Sequence, residues 1–289
     1  MISKLLVISM GACMLAQEAR PESFALAGGE TSLPMLDIGG RPVAEVRING
    51  KGPYRFIVDT GAHVTAVDSG LASELALPEV RGAKVPEGEA PSVVVRAREI
   101  RLGTAALRDI AVITAPLAEM FSGGEAPRGV LGAASFPGYL VVLDYPGKRI
   151  VIRKGALGAA DGRTTFEYAA NKLLPMVPVR VAGVETQVDL DSGAPMGLTL
   201  PMKFLKQVVL ASEAKEVGRA RTPAGEFSIS SAKVDGVIEL GQYRLDLAEV
   251  SFSDVAPGPA APNGNIGYQV LRGFRVTFDS ENRRIRLER

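Results

Sequence analysis

Apolar and polar positions alternate with a period of two at two matching places along the chain. Val46 and Ile48 alternate with Glu45 and Arg47 ahead of Asn49-Gly50, while Val177, Val179 and Val181 alternate with Pro178 and Arg180 ahead of Ala182-Gly183. Alternation closed by a turn-forming pair predicts a β-hairpin. The return strand of each hairpin carries a largely apolar stretch that ends on an aspartate, Asp59 in FIVDTGA and Asp191 in QVDLDSGA. A short helix is predicted after each, over Ser69 to Leu75 and over Pro201 to Leu210, the second with proline in its first turn. The runs Leu140 to Leu143 and Val276 to Phe278 read as core strands. With 32 Gly and 19 Pro among many Val and Ile, turns are frequent and the expected fold is mainly β with short helices.

The two hairpins are one part of a repeat. The aspartates lie 191 − 59 = 132 residues apart. Val85 to Ala90 (VPEGEA) matches Thr222 to Phe227 (TPAGEF) at an offset of 225 − 88 = 137. Gly129-Val130-Leu131-Gly132 matches Gly264-Asn265-Ile266-Gly267 at 267 − 132 = 135, and Leu143-Asp144 with Arg149-Ile150 matches Phe278-Asp279 with Arg284-Ile285 at the same offset. Ordered matches at a nearly fixed offset indicate two structurally equivalent halves. The expected organisation is an N-terminal lobe over 33–154, a Gly/Ala-rich linker over 155–163 and a C-terminal lobe over 164–289, and 289 residues suffice for a core in each.

A lone Asp after a buried strand is most simply a turn-capping residue. Two of them in register ask for a different reading, because two carboxylates brought face to face can share one proton and work as acid and base. The doubled D-[TS]-G-A loop, each copy followed by an apolar segment ending in glycine, resembles the aspartic peptidases, specifically the retropepsin-like branch of bacterial exported proteins. The resemblance covers Leu33 to Arg289. It implies a bilobal acid-protease fold of two β-barrel-like lobes related by a pseudo-twofold axis, with Asp59 and Asp191 as the catalytic dyad. It further implies that Thr60 and Ser192 bond across the axis, and that Gly61 and Gly193, with Ala62 and Ala194 behind them, allow the loops to approach closely. No cofactor and no metal are implied; the substrate would be a peptide or protein, and the lobes would pair within a monomer. The aromatic flap residue of the pepsin branch has no match, since neither Val80 to Ile100 nor Gly218 to Ser231 contains Tyr. A non-catalytic peptide-binding protein of the same fold is the alternative function. Ala62 and Ala194 offer no hydroxyl to the ionised dyad, so an activity optimum from weakly acidic to neutral pH is expected.

Composition narrows the field further. A single Cys, Cys13, and a single His, His63, exclude an intrachain disulfide and a Cys/His zinc cluster. His63 adjoins the first Asp loop and is read as a structural neighbour, not a base. Asp189 lies two residues before Asp191 on the same strand face, and without the remaining ligands of a calcium loop it is read as structural. The 33 Lys and Arg nearly balance 32 Asp and Glu, which gives no footprint for nucleic acid. Lys4 followed by the apolar stretch Leu5 to Ala16 reads as an export segment within residues 1–27, too short to span a membrane, with cleavage after Ala16 or after Ala27. The expected location is periplasmic or secreted. Met10-Gly11-Ala12-Cys13 loosely resembles a lipoprotein box, and Met10 fits it poorly.

Overall fold

A computed structural model describes residues 21–62, 64–83, 92–121, 126–132, 135–169, 175–222, 225–254 and 264–289. His63, the VPEGEA segment, residues 1–20 of the expected export segment and the Pro-rich stretch 256–262 lie outside the described residues. The fold is mainly β, and the described residues form three sheets. An eight-stranded sheet is drawn from residues 23–132, and a nine-stranded sheet from residues 176–266.

Both predicted hairpins are present. Pro42–Ile48 pairs with Lys51–Asp59, and Met176–Val181 pairs with Val184–Leu190. Their turns, Asn49-Gly50 and Ala182-Gly183, hold both residues at positive φ (50° and 81°, 48° and 85°), the conformation that matches the twist of a two-residue hairpin. Asn and Gly enter this region readily. Ala182 does so at a cost that the surrounding ladder must hold in place.

The third sheet joins the two halves. Its six strands run in the order Thr165–Glu167, Arg284–Glu288, Arg275–Asp279, Tyr139–Asp144, Arg149–Lys154 and Glu30–Pro34, so each half contributes three. At its centre Val142 faces Thr277 in an antiparallel pair, and 277 − 142 = 135 is the offset of the repeat. Equivalent residues meeting in antiparallel register is what a local twofold between two strands requires. The turns beside this pair repeat as well, with Lys148 at φ 50° and Arg283 at φ 52°. Leu143, Ile150, Ile152, Val276, Ile285 and Leu287 are completely buried, and they belong to one apolar cluster that continues into both larger sheets.

Two expectations need correction. The helix expected over Pro201 to Leu210 is a short 3-10 turn, Met202–Lys206, with Pro201 as its cap. The sequence after it, Gln207-Val208-Val209-Leu210, holds adjacent β-branched residues that disfavour propagation, and Leu210 instead bridges to Val234. The fold also begins earlier than Leu33. Ser23–Leu26 is an edge strand paired with Ala105 to Arg108, and Phe24 packs against Tyr139 and Phe136 with ring centroids 4.3 and 6.0 Å away. By contrast, the helix expected from Ser69 is found as Ser69–Glu74, capped by Asp68, whose Oδ2 accepts the Leu71 N–H. Among the described residues no helix is long and apolar enough to cross a membrane.

Cleavage after Ala27 would remove the Ser23–Leu26 strand, whereas cleavage after Ala16 leaves it intact. A protein beginning at Gly28 is therefore expected to melt about 5 °C below one beginning at Gln17, through loss of the strand and the Phe24 contacts. Equal melting temperatures in a calorimetric scan would show that the strand contributes nothing to stability.

Candidate active site

Each aspartate stands where a strand leaves its sheet beside a parallel neighbour. Lys51–Asp59 runs parallel to Gly129–Gly132, with Ile57 opposite Val130 and Asp59 opposite Gly132. Val184–Leu190 runs parallel to Gly264–Ile266, with Asp189 opposite Asn265, and the Asp191 N–H continues the ladder onto the Ile266 carbonyl at 2.9 Å. The glycine-ended segments noted in the sequence are these parallel neighbours.

The loops that follow lock into one another. Thr60 Oγ1 donates to the Leu190 carbonyl at 2.9 Å and accepts the Ser192 N–H at 3.1 Å. Ser192 Oγ donates to the Val58 carbonyl at 2.7 Å and accepts the Thr60 N–H at 2.9 Å. Each hydroxyl thus satisfies a carbonyl and an amide of the opposite half, and both residues are buried. Removing either leaves buried polar groups without partners, the costly outcome in an interior.

This lock brings the carboxyl groups of Asp59 and Asp191 together, each lying against the glycine of the opposite loop. Gly61 and Gly193 form the walls: a Cβ on Gly61 would lie 2.5 Å from Asp191 Cγ, and one on Gly193 would lie 2.3 Å from Asp59 Oδ2. No larger residue fits at either place without separating the pair. Gly61 N–H donates to Asp59 Oδ1 at 2.7 Å, and Gly193 N–H donates to Asp191 Oδ1 at 2.8 Å. Burial raises both carboxyls above the usual range; Asp59 is pushed well above it, with the adjacent Asp191 charge as the next cause. Hydrogen bonds from Asp59, Asn265, Gly193 and Ala194 restrain the rise at Asp191. Ala62 is buried, and its N–H reaches the Asp59 carbonyl at 3.4 Å.

Three residues around the pair were not foreseen. Arg41 is 8% exposed, donates from Nε to the Gly193 carbonyl at 2.8 Å, and presents its charge to both aspartates. Its guanidinium carbon lies 5.2 Å from the centre of the Phe121 ring. A lone Arg between Gly39-Gly40 and an apolar strand was the available signal. Asn265 donates from Nδ2 to Asp191 Oδ2 at 3.0 Å, and its signal was a polar residue standing where the first half has Val130. Tyr268 bonds to Asp37 and stacks edge-on with Tyr145 at 6.0 Å, tying the turn before Arg41 to the second half. Asp189 is buried in its strand opposite Met176 and Asn265.

The crossed bonds generate a quantitative expectation. Thr60→Val and Ser192→Ala should each lower stability by about 1–3 kcal/mol. The double variant should lose less than the sum by about 1 kcal/mol, because the first substitution already opens the shared set of bonds. Denaturant unfolding of the four proteins measures this; strictly additive losses would mean that the two hydroxyls act independently.

Comparison with known proteins bears on the first half of this arrangement. A search of curated proteins gives no match. The family model described as aspartyl protease matches residues 44–134, which hold the first hairpin, the Asp59 loop, the Ser69–Glu74 helix and the parallel Gly129–Gly132 strand. Over those residues the chain is similar to aspartyl proteases of the retropepsin-like type.

Proposed function

We propose that this chain is an aspartic endopeptidase whose dyad takes Asp59 from the first half and Asp191 from the second, acting as an exported monomer on extended peptide segments. The observation that carries the reading is the meeting of two half-buried carboxyl groups at the ends of repeated, interlocked loops, where a Cβ on Gly61 would lie 2.5 Å from Asp191 Cγ and one on Gly193 2.3 Å from Asp59 Oδ2. Two carboxyls held side by side cannot both ionise, so the pair shares one proton near the working pH. The ionised member takes a proton from a water lying between them while the neutral member donates to the scissile carbonyl. The product of that step is a tetrahedral diol, which collapses as a proton passes to the departing amine. Neither a cofactor nor a covalent intermediate enters. A substrate strand laid between the halves would bind through main-chain hydrogen bonds, and its side chains would select the sequence.

The raised carboxyls and the absence of a hydroxyl at Ala62 and Ala194 favour a pH–rate maximum in the weakly acidic to neutral range. Asp59→Asn and Asp191→Asn are each expected to lower cleavage of denatured casein by about 10³-fold or more with the fold retained, and a statine-type mimic should block the native protein. Retained turnover in either variant, or a native profile peaking near pH 2, would sink the proposal. Binding of the mimic without any cleavage would favour a peptide-binding protein instead. Full activity of the sedimenting monomer is expected from a dyad formed within one chain.

A further inference from the structure

The two halves do not treat their aspartates alike. Asp191 Oδ1 accepts from Gly193 N at 2.8 Å and from Ala194 N at 3.1 Å, and its Oδ2 accepts from Asn265 Nδ2 at 3.0 Å. Among the described residues Asp59 accepts one such bond, from Gly61 N at 2.7 Å; Ala62 N–H reaches only the Asp59 carbonyl, at 3.4 Å, whereas Ala194 N–H reaches the Asp191 carbonyl at 3.3 Å as well as its carboxylate. The largest difference is the side-chain amide. Asn265 and Val130 are counterparts in the repeat, 265 − 130 = 135, and hold the same place in the two parallel ladders. Val130 is buried in an apolar cluster with Val43, Ile57, Ala62, Ala66 and Leu117 and has no hydrogen to donate.

An amide N–H can only donate, so it stabilises a carboxylate over a carboxylic acid. We propose that Asn265 is a positioning residue that keeps the bridging proton on Asp59 and leaves Asp191 as the ionised partner. Asp191 is then the base toward water, and Asp59 the acid toward the scissile carbonyl. The assignment of these roles rests on the peptidase reading; the placement of the proton does not, because it is a property of the free protein.

Other charges near the pair were weighed against this. Arg41 attracts charge onto Asp59 more than onto Asp191, but burial, the neighbouring aspartate and the Gly61 hydrogen bond each weigh more on the Asp59 carboxyl. The Tyr145 hydroxyl is buried beside the dyad, and the Tyr268–Asp37 pair lies next to it. Asp189 lies on the strand that leads to Asp191, opposite Asn265. Of these groups, none supplies Asp59 with a hydrogen bond of the kind that Asn265 gives Asp191.

Carboxyl-carbon NMR on protein with labelled aspartate reads the proton without turnover. In Asp59→Asn the dyad keeps Asp191 alone, and in Asp191→Asn it keeps Asp59 alone. The lone Asp191 should titrate at a lower pH than the lone Asp59. Adding Asn265→Leu should raise the Asp191 midpoint by about one pH unit and leave that of Asp59 in place. Should the Leu variant fail to fold, Asn265→Ser, whose short hydroxyl falls away from Oδ2, gives the same comparison. In the active protein, Asn265→Leu should carry the acid limb of the kcat/KM profile upward and leave the alkaline limb unmoved, because the donor serves Asp191 in both ionised forms of the pair. Equal midpoints for the two lone aspartates, or an Asn265 substitution that moves both or neither, would overturn the inference. Loss of peptidase activity altogether would sink the functional reading while the NMR midpoints still decided the proton.

Discussion

Two carboxyl groups held side by side repel unless a proton lies between them, and three features around Asp59 and Asp191 enforce that closeness. The crossed bonds of Thr60 and Ser192 fix the separation of the loops. The bare walls at Gly61 and Gly193 let the carboxyls approach. The antiparallel pair of Tyr139–Asp144 with Arg275–Asp279 sets the halves in register at the axis itself. The six-stranded sheet is therefore more than a joint: a slip of one residue there would turn its buried faces outward and displace both loops.

Closeness has a thermodynamic consequence with a definite sign. Folding raises the proton affinity of both aspartates, that of Asp59 most. An acid whose folded pKa exceeds its unfolded value of about 3.9 contributes fully to stability below that value and loses the contribution as pH rises toward the folded one. Toward neutral pH the unfolded chain releases protons that the folded chain retains, so the dyad opposes folding there. The interlocked hydroxyls and the continuous apolar core offset this. Strain kept at a reactive centre and supported from outside it is a common arrangement in proteins.

The parts legible in the sequence were those written in local chemistry. Asn49-Gly50 between alternating strands names its hairpin, and the aspartates stand out because the same short pattern occurs twice at a nearly fixed offset. The joining sheet was legible only as separate apolar runs, since the pairing of Val142 with Thr277 depends on contacts across 135 residues that no window along the chain contains. Ser23–Leu26 is short and half exposed, and it lies within the stretch whose pattern reads as an export segment; only its partner strand gives it a structure. The helix after Pro201 was overestimated because proline at its start favours a first turn, whereas the residues that end it are merely poor helix formers.

Arg41 and Asn265 escaped detection for another reason: a repeat search rewards what the halves share, and these residues mark where the halves differ. Symmetry is sufficient to bring two aspartates together, but a symmetric pair has no reason to place its proton on one side. Assigning acid and base within such a pair requires an asymmetric group close enough to touch it. Asn265 stands opposite Asp189 in the strand beside the Asp191 loop, 3.0 Å from one carboxyl oxygen, while its counterpart Val130 is apolar. A change of one side chain between the copies is enough to give each aspartate its own environment, and the core packing that both copies share can remain as it is.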